Sequence, residues 1–142
     1  TLGTTLLAES KLHLSETYPH IVQIENEKVL NIEGKYSEFT IITNKNKYTS
    51  KMVVVGIGAA NTFAIEGLLQ YLEPHKKIPV EKQRIQLKNT DHKVAEGIYV
   101  TGTLAGLRSQ VAIAAGSGAA VATDILTLWN GGIQTQSHDS IR

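Results

Sequence analysis

Met52-Val53-Val54-Val55-Gly56-Ile57-Gly58-Ala59-Ala60-Asn61 is the stretch from which the rest of the chain can be read. Its four leading apolar residues do not alternate with polar ones, which fits a strand covered on both faces, as in a parallel sheet. The run passes directly into two glycines one residue apart, and Thr62 to Leu72 beyond them predicts a helix. Strand, glycine-rich turn and helix in that order are what a nucleotide phosphate site requires, because the helix start offers free N–H groups to an anion. Here Asn61 stands at the last glycine position of G-x-G-x-x-G, and no acidic residue closes a second strand at the expected distance. Gly56-Ile57-Gly58 therefore reads either as a ligand contact or as a plain strand-to-helix turn. A short-chain Rossmann enzyme using Gly56 to Asn61 as its phosphate turn fits poorly, since its first strand would follow about fifty residues of helix and hairpin.

Upstream, Thr4 to Glu16 places Leu6, Leu7, Leu12 and Leu14 in an amphipathic helix ending before Tyr18-Pro19. Short β-rich runs follow at Ile21 to Glu25, Lys28 to Ile32, Glu38 to Thr43 and Lys47 to Thr49, with turns expected at Glu33-Gly34 and Asn44-Lys45-Asn46. Phe39, Ile41 and Thr43 alternate with Thr40 and Ile42, so these runs read as a small antiparallel set. Lys45, Lys47 and Lys51 suit a solvated edge that resists strand addition.

Downstream, Glu73 to Lys77 closes the expected helix, and strands are expected at Ile78 to Val80 and Gln83 to Leu87. Gly97 to Gly102 gives a last β-run stopped by glycine. A long Ala/Gly-rich helix then begins near Ser109 or Gln110 and ends at Asn130-Gly131-Gly132, residues suited to a left-handed C-terminal cap. Within it, Val111 to Trp129 is 19 residues long with Asp124 as its single charge. That length permits a membrane span, but nine of the residues are Ala, Gly or Ser and no Lys/Arg cluster flanks them, so a buried helix of a soluble protein is expected. Trp129 is expected to pack at the end of this helix, and the tail Ile133 to Arg142 to be flexible. No repeat or low-complexity linker interrupts the 142 residues, which suit a single domain spanning 1–142.

Composition narrows the function classes. With 14 Lys+Arg against 13 Asp+Glu, the net charge of +1 leaves no electrostatic footprint for nucleic acid. Zero cysteines exclude disulfides, thiolate nucleophiles, thiolate-ligated metals and dithiol redox chemistry, so any redox reaction needs a bound cofactor. His13, His20, His75, His92 and His138 show no metal-ligand spacing and read as surface residues. Asp91-His92 has no nucleophile elbow to serve as a hydrolase triad. With no disulfide framework and no long apolar leader in the first twenty residues, the expected compartment is the cytoplasm.

Two blocks then resemble a known family. Val53 to Thr62 is similar to the V-F-V-A-I-G-x-x-P-N-T strand of flavin-dependent pyridine nucleotide oxidoreductases of the thioredoxin reductase type, with Ala60 where that family has proline. Gly97 to Thr103, followed by Gln110 to Gly118, is similar to its G-V-F-A-A-G-D strand and its Q-A-V-T-A-A-G-x-G helix start. Ile78-Pro79-Val80 and Thr90 to Val94 fall where the family has a strand and the approach to the second block. The likeness runs from about Glu38 to Leu128.

The resemblance implies an α/β, Rossmann-like FAD/NAD(P)-binding fold of three layers: parallel sheet, helices and a small antiparallel β layer. It further implies the C-terminal part of such a module, since the opening βαβ unit with G-x-G-x-x-G and its acidic residue is not in this sequence. The implied activity is FAD-dependent electron transfer from NAD(P)H without a dithiol centre, with no side chain cast as acid, base or nucleophile. Gly56, Ile57, Gly58, Gly102, Thr103, Gln110, Val111 and Ala112 would be cofactor contacts, and no metal site is expected. Thr103 stands where the family has aspartate, and three readings stay open: FAD bound with Thr103 in that role, another nucleotide bound, or a non-catalytic interaction protein that has lost the cofactor. Half a module would leave a sheet edge and a helix face uncovered, so an oligomer or a segment supplying the G-x-G-x-x-G half is expected.

Overall fold

The structure is a computed structural model and describes residues 3–133. In chain order it runs α1 (Gly3–Thr17), β1 (Val29–Lys35), β2 (Glu38–Thr43), β3 (Lys47–Ser50), β4 (Val53–Val55), β5 (Leu72–Pro74), β6 (Ile85–Leu87), β7 (Lys93–Ala95), β8 (Ile98–Val100) and α2 (Val111–Trp129). The fold is mixed α/β. The expected tail beyond Ile133 lies outside the described residues.

Strands β1, β2 and β3 form an antiparallel meander in that order. The alternation read in β2 holds at its start, with Phe39 buried in the core. The first turn is Tyr36-Ser37 rather than Glu33-Gly34. Gly34 (φ +95°) stays in β1 opposite Phe39, because a Cβ there would run into the Glu38 carbonyl. The run Ile21 to Glu25 forms no strand. It is tied to α1 by the Lys11–Glu25 ion pair and by Gln23, which donates to Ser15 Oγ at 2.8 Å.

Strand β4 pairs in parallel with β8, in the register Val53–Ile98, Val54–Tyr99 and Val55–Val100, and β7 joins β8 antiparallel from the other side. The parallel pairing expected of Met52 to Val55 is therefore present, but its burial on both faces is not. β4 is an edge strand, and Val54 is 47% exposed. A hairpin of β5 and β6 completes the strands. One core joins the sheets, with Leu68, Leu87, Val100 and Leu104 fully buried among Ile32, Phe39, Val55, Ile65 and Ile98.

The largest departure from expectation is the segment Thr62 to Leu72, which is not an α-helix. Its middle runs extended beside β1: Ile32 N–H donates to Glu66 O at 3.2 Å, and Glu66 N–H to Leu30 O at 2.9 Å. Gly67 (φ +88°) lies so close to the Ile32 carbonyl that no side chain fits. Those inter-segment bonds replace the helical ladder, and only a short 3₁₀ turn, Leu69–Tyr71, remains before β5. With no helix after Asn61, the phosphate site at a Thr62 helix start does not exist. Ile78 to Val80 is likewise no strand; Pro79 instead precedes a 3₁₀ turn at Val80–Lys82.

Helix α2 starts and stops as the sequence indicates. Gly131 and Gly132 adopt φ of +70° and +86°, and Gly132 N–H reaches back to Thr127 O at 3.0 Å, closing the left-handed cap. Its expected burial is not found. Only Ser117 and Val121 are buried, along a stripe completed by half-buried Ile113 and Ile125, while Trp129 is 61% exposed. The small residues Ala112, Ala115 and Gly116 lie on exposed positions rather than against the sheet. By length and composition α2 could cross a membrane.

Candidate functional site

Because β4 and β8 run side by side in one direction, the chain leaves both at the same end of the sheet, the end where open α/β sheets bind ligands. Thr101 N–H donates to Val55 O at 3.0 Å, carrying the pairing one residue past β8. Gly56 allows this closeness, since a Cβ there would come within 2.8 Å of Thr101 Oγ1. Gly102 then turns with φ +68° into a 3₁₀ turn, Gly102–Ala105, which leads to α2. The two blocks singled out in the sequence thus meet in space.

The turn from Ile57 to Ala60 separates two cavities of about 600 Å³ each. On one side lies an apolar groove walled by Val29, Ile41, Phe63 and the open edge of β4, with Gly56 at its margin. On the other lies a polar cavity that brings Ile57 and Gly58 together with Thr103 and Gln110. Sequence reasoning did not anticipate the rest of that second wall: Lys77, Lys82, Arg84 and Arg108. The cations at 77, 82 and 84 arrive on the β5–β6 connection, and Arg108 arrives just before α2.

Other expected contacts fall elsewhere. Val111 and Ala112 are exposed in the first turn of α2, outside the lining of both cavities. Gly102 offers no donor to a ligand, because its N–H is bound to buried Ser117 Oγ at 2.9 Å. Gln110, the residue before α2, makes no side-chain cap. The first-turn N–H groups of α2 have no partner within the helix, and Gln110 immediately before them lines the polar cavity.

Two histidines read as surface residues are not. His75 is 5% exposed; its Nδ1 accepts the Lys77 N–H at 3.1 Å, so its Nε2 donates to Thr103 O at 2.9 Å. It thereby couples the β5–β6 connection to the turn after β8. Gln86, also buried, holds the same connection by accepting the Lys76 N–H at 3.2 Å while its amide donates to Glu73 Oε1 at 2.7 Å. His92 is half-buried, with Nδ1 3.1 Å from Val100 O. His13 and His20 are exposed, and His138 lies outside the described residues. Among the described residues no three His, Asp or Glu side chains form a metal-binding group.

No protein-family model matches the chain, and a search of curated proteins finds no significant match.

Proposed function

We propose that this chain is the C-terminal, flavin-contacting part of a Rossmann-like FAD/NAD(P)-binding module related to thioredoxin reductases, in which FAD carries electrons from NAD(P)H without a dithiol centre. The observation that carries this reading is the convergence of Ile57-Gly58 from one resembling block with Thr103 and Gln110 from the other on one cavity at the end of the parallel pair. An uncapped α2 start beside that cavity suits the electron-rich N1/O2 side of a flavin ring. No side chain of the cavity is arranged as a nucleophile with its base, so the redox chemistry would belong to the flavin.

The open edge of β4, the apolar groove beside it and the exposed face of α2 support a further part of the reading. A βα unit bearing G-x-G-x-x-G, from another stretch of polypeptide or another subunit, would extend the sheet and cover the helix. The setting would be the cytoplasm, where reduced nicotinamides are available. Purification with the natural partner followed by reconstitution with FAD tests this: bound flavin absorbance that NAD(P)H bleaches is expected, and no flavin uptake would overturn it.

Thr103 favours a second reading, a nucleotide-binding or interaction protein that performs no electron transfer, because it carries no charge where the resembling family has aspartate. Calorimetry with FAD, NAD and NADP separates the two, since the second predicts no FAD-specific heat.

A further inference from the structure

The cation wall of the second cavity is unusual for a chain of net charge +1. Lys77, Lys82, Arg84 and Arg108 line one space of about 600 Å³, and no Asp or Glu among the described residues lines it with them. None of the four forms an ion pair with a described carboxylate, whereas Lys11, Lys35, Lys76 and Lys93 all do. Thr103 and Ser109 add hydroxyl groups to the same wall. Buried His75 ties together the backbone that carries two of these cations: its ring bonds the Lys77 N–H and the Thr103 carbonyl, and its own backbone N–H donates to Arg84 O at 3.0 Å. Convergent, unneutralised cations with hydroxyl donors are the chemistry that recognises a phosphate, for which arginine supplies paired N–H donors and lysine a point charge.

We propose that this wall is a phosphate subsite, so that the cavity takes a phosphorylated flavin nucleotide in preference to phosphate-free flavin. The inference rests on the flavin reading for the identity of the ligand's other end. It also gives Thr103 a purpose. An aspartate at 103 would place a negative charge in the wall and repel the phosphate, while a threonine hydroxyl can donate to it.

Calorimetric titration of the full chain, purified with its natural partner, with inorganic pyrophosphate, riboflavin, FMN and FAD tests the subsite. FMN and FAD are expected to bind about tenfold or more tightly than riboflavin, and pyrophosphate to bind by itself. The Arg84→Gln/Arg108→Gln double variant is expected to lose about tenfold or more for FMN and pyrophosphate while riboflavin affinity stays constant. Thr103→Asp is expected to weaken pyrophosphate in the same direction. Both arginines are exposed, and an unchanged circular dichroism spectrum and melting temperature establish that the double variant is folded. Equal affinity for riboflavin, FMN and FAD, unaffected by the variants, would overturn the subsite and leave the flavin reading standing. Arginine-dependent pyrophosphate binding with no added affinity for any flavin would support the subsite and overturn the flavin reading. Absence of binding by all four compounds would overturn both.

Discussion

The Gly102 N–H donates to Ser117 Oγ at 2.9 Å, and the same hydroxyl donates onward to Ala114 O at 2.7 Å. One buried side chain thus fastens the end of β8 to the second turn of α2. The small residue matters as much as the hydroxyl, because Ser117 faces the core on the single stripe by which the helix is attached. The turn that carries Thr103 and the helix start that carries Gln110 are therefore fixed relative to one another by a contact that touches neither.

Replacing Ser117 by alanine keeps the packing and removes the bond, leaving the Gly102 N–H unpaired. Chemical denaturation is expected to show a loss of about 1–2 kcal/mol, with an unchanged denaturant slope. A neutral S117A would show that the helix is held by apolar contact alone.

Gly102 itself has φ +68° with open space where a Cβ would lie. Gly102→Ala is therefore expected to cost about 1–2 kcal/mol through backbone strain and without a steric clash. A melting temperature equal to the parent's would show that the left-handed turn is not maintained in solution.

His75 joins two segments through both ring nitrogens, so its removal leaves the Lys77 N–H without its acceptor and takes from the Thr103 carbonyl one of its two donors, the Gly106 N–H remaining at 3.0 Å. His75→Ala is expected to cost about 2–3 kcal/mol, and His75→Gln, which can accept and donate through its amide, to recover part of that. If alanine and glutamine proved equally harmless in thermal unfolding, the histidine would be packing rather than a coupling.

These relationships explain how far the sequence could be read. β2, β8 and α2 were legible because their signals are local: alternation from Phe39, an apolar run stopped by Gly102, and a Gly-Gly cap after Asn130. The meeting of Ile57-Gly58 with Thr103 and Gln110 followed from two ordered blocks. Thr62 to Leu72 misled because what excludes a helix there is the distant carbonyl of Ile32 lying against Gly67. The cation wall stayed hidden for a similar reason: Lys77, Lys82 and Arg84 meet Arg108 only through the β5–β6 hairpin and the His75 bond, although the basic residues flanking Pro79 were a signal available to read.

Glu27 gives the antiparallel layer a pH dependence. Its carboxylate accepts from Thr43 Oγ1 at 2.8 Å and from Tyr48 Oη at 2.9 Å, and also from Asn46. The Thr43 bond foremost, with those from Tyr48 and Asn46 and the charge of Lys45, holds its pKa below the ordinary carboxylate value despite partial burial. The Glu27 bond also pushes the Tyr48 phenol upward. A carboxylate with a lowered folded-state pKa stabilises the fold above its unfolded pKa, and that contribution is lost as pH falls through the folded value. Glu27→Gln is therefore expected to melt below the parent at neutral pH, with the gap closing in acid beneath the ordinary carboxylate range. A gap that stays constant down to that acid range would remove the charge from the explanation.

The exposed face of α2 leads to a test in the opposite sense. Val111, Ala115, Ala119, Ala122 and Leu126 recur at three- and four-residue spacing on a face distinct from the Ile113–Ser117–Val121 stripe, and all five are exposed. A contiguous apolar surface on a 19-residue helix favours association unless another element covers it. The chain without its proposed βα partner is expected to self-associate with rising concentration in light scattering. Ala115→Lys/Ala122→Lys/Leu126→Lys is expected to reduce that association while changing intrinsic stability by no more than about 1 kcal/mol, since these side chains touch little of the core. Val121→Lys, on the attached stripe, is expected to unfold the chain because it places an unpaired charge at a fully enclosed position. A parent chain that stays monomeric at high concentration would mean that its exposed apolar face needs no partner, and would remove one support for the proposed βα unit.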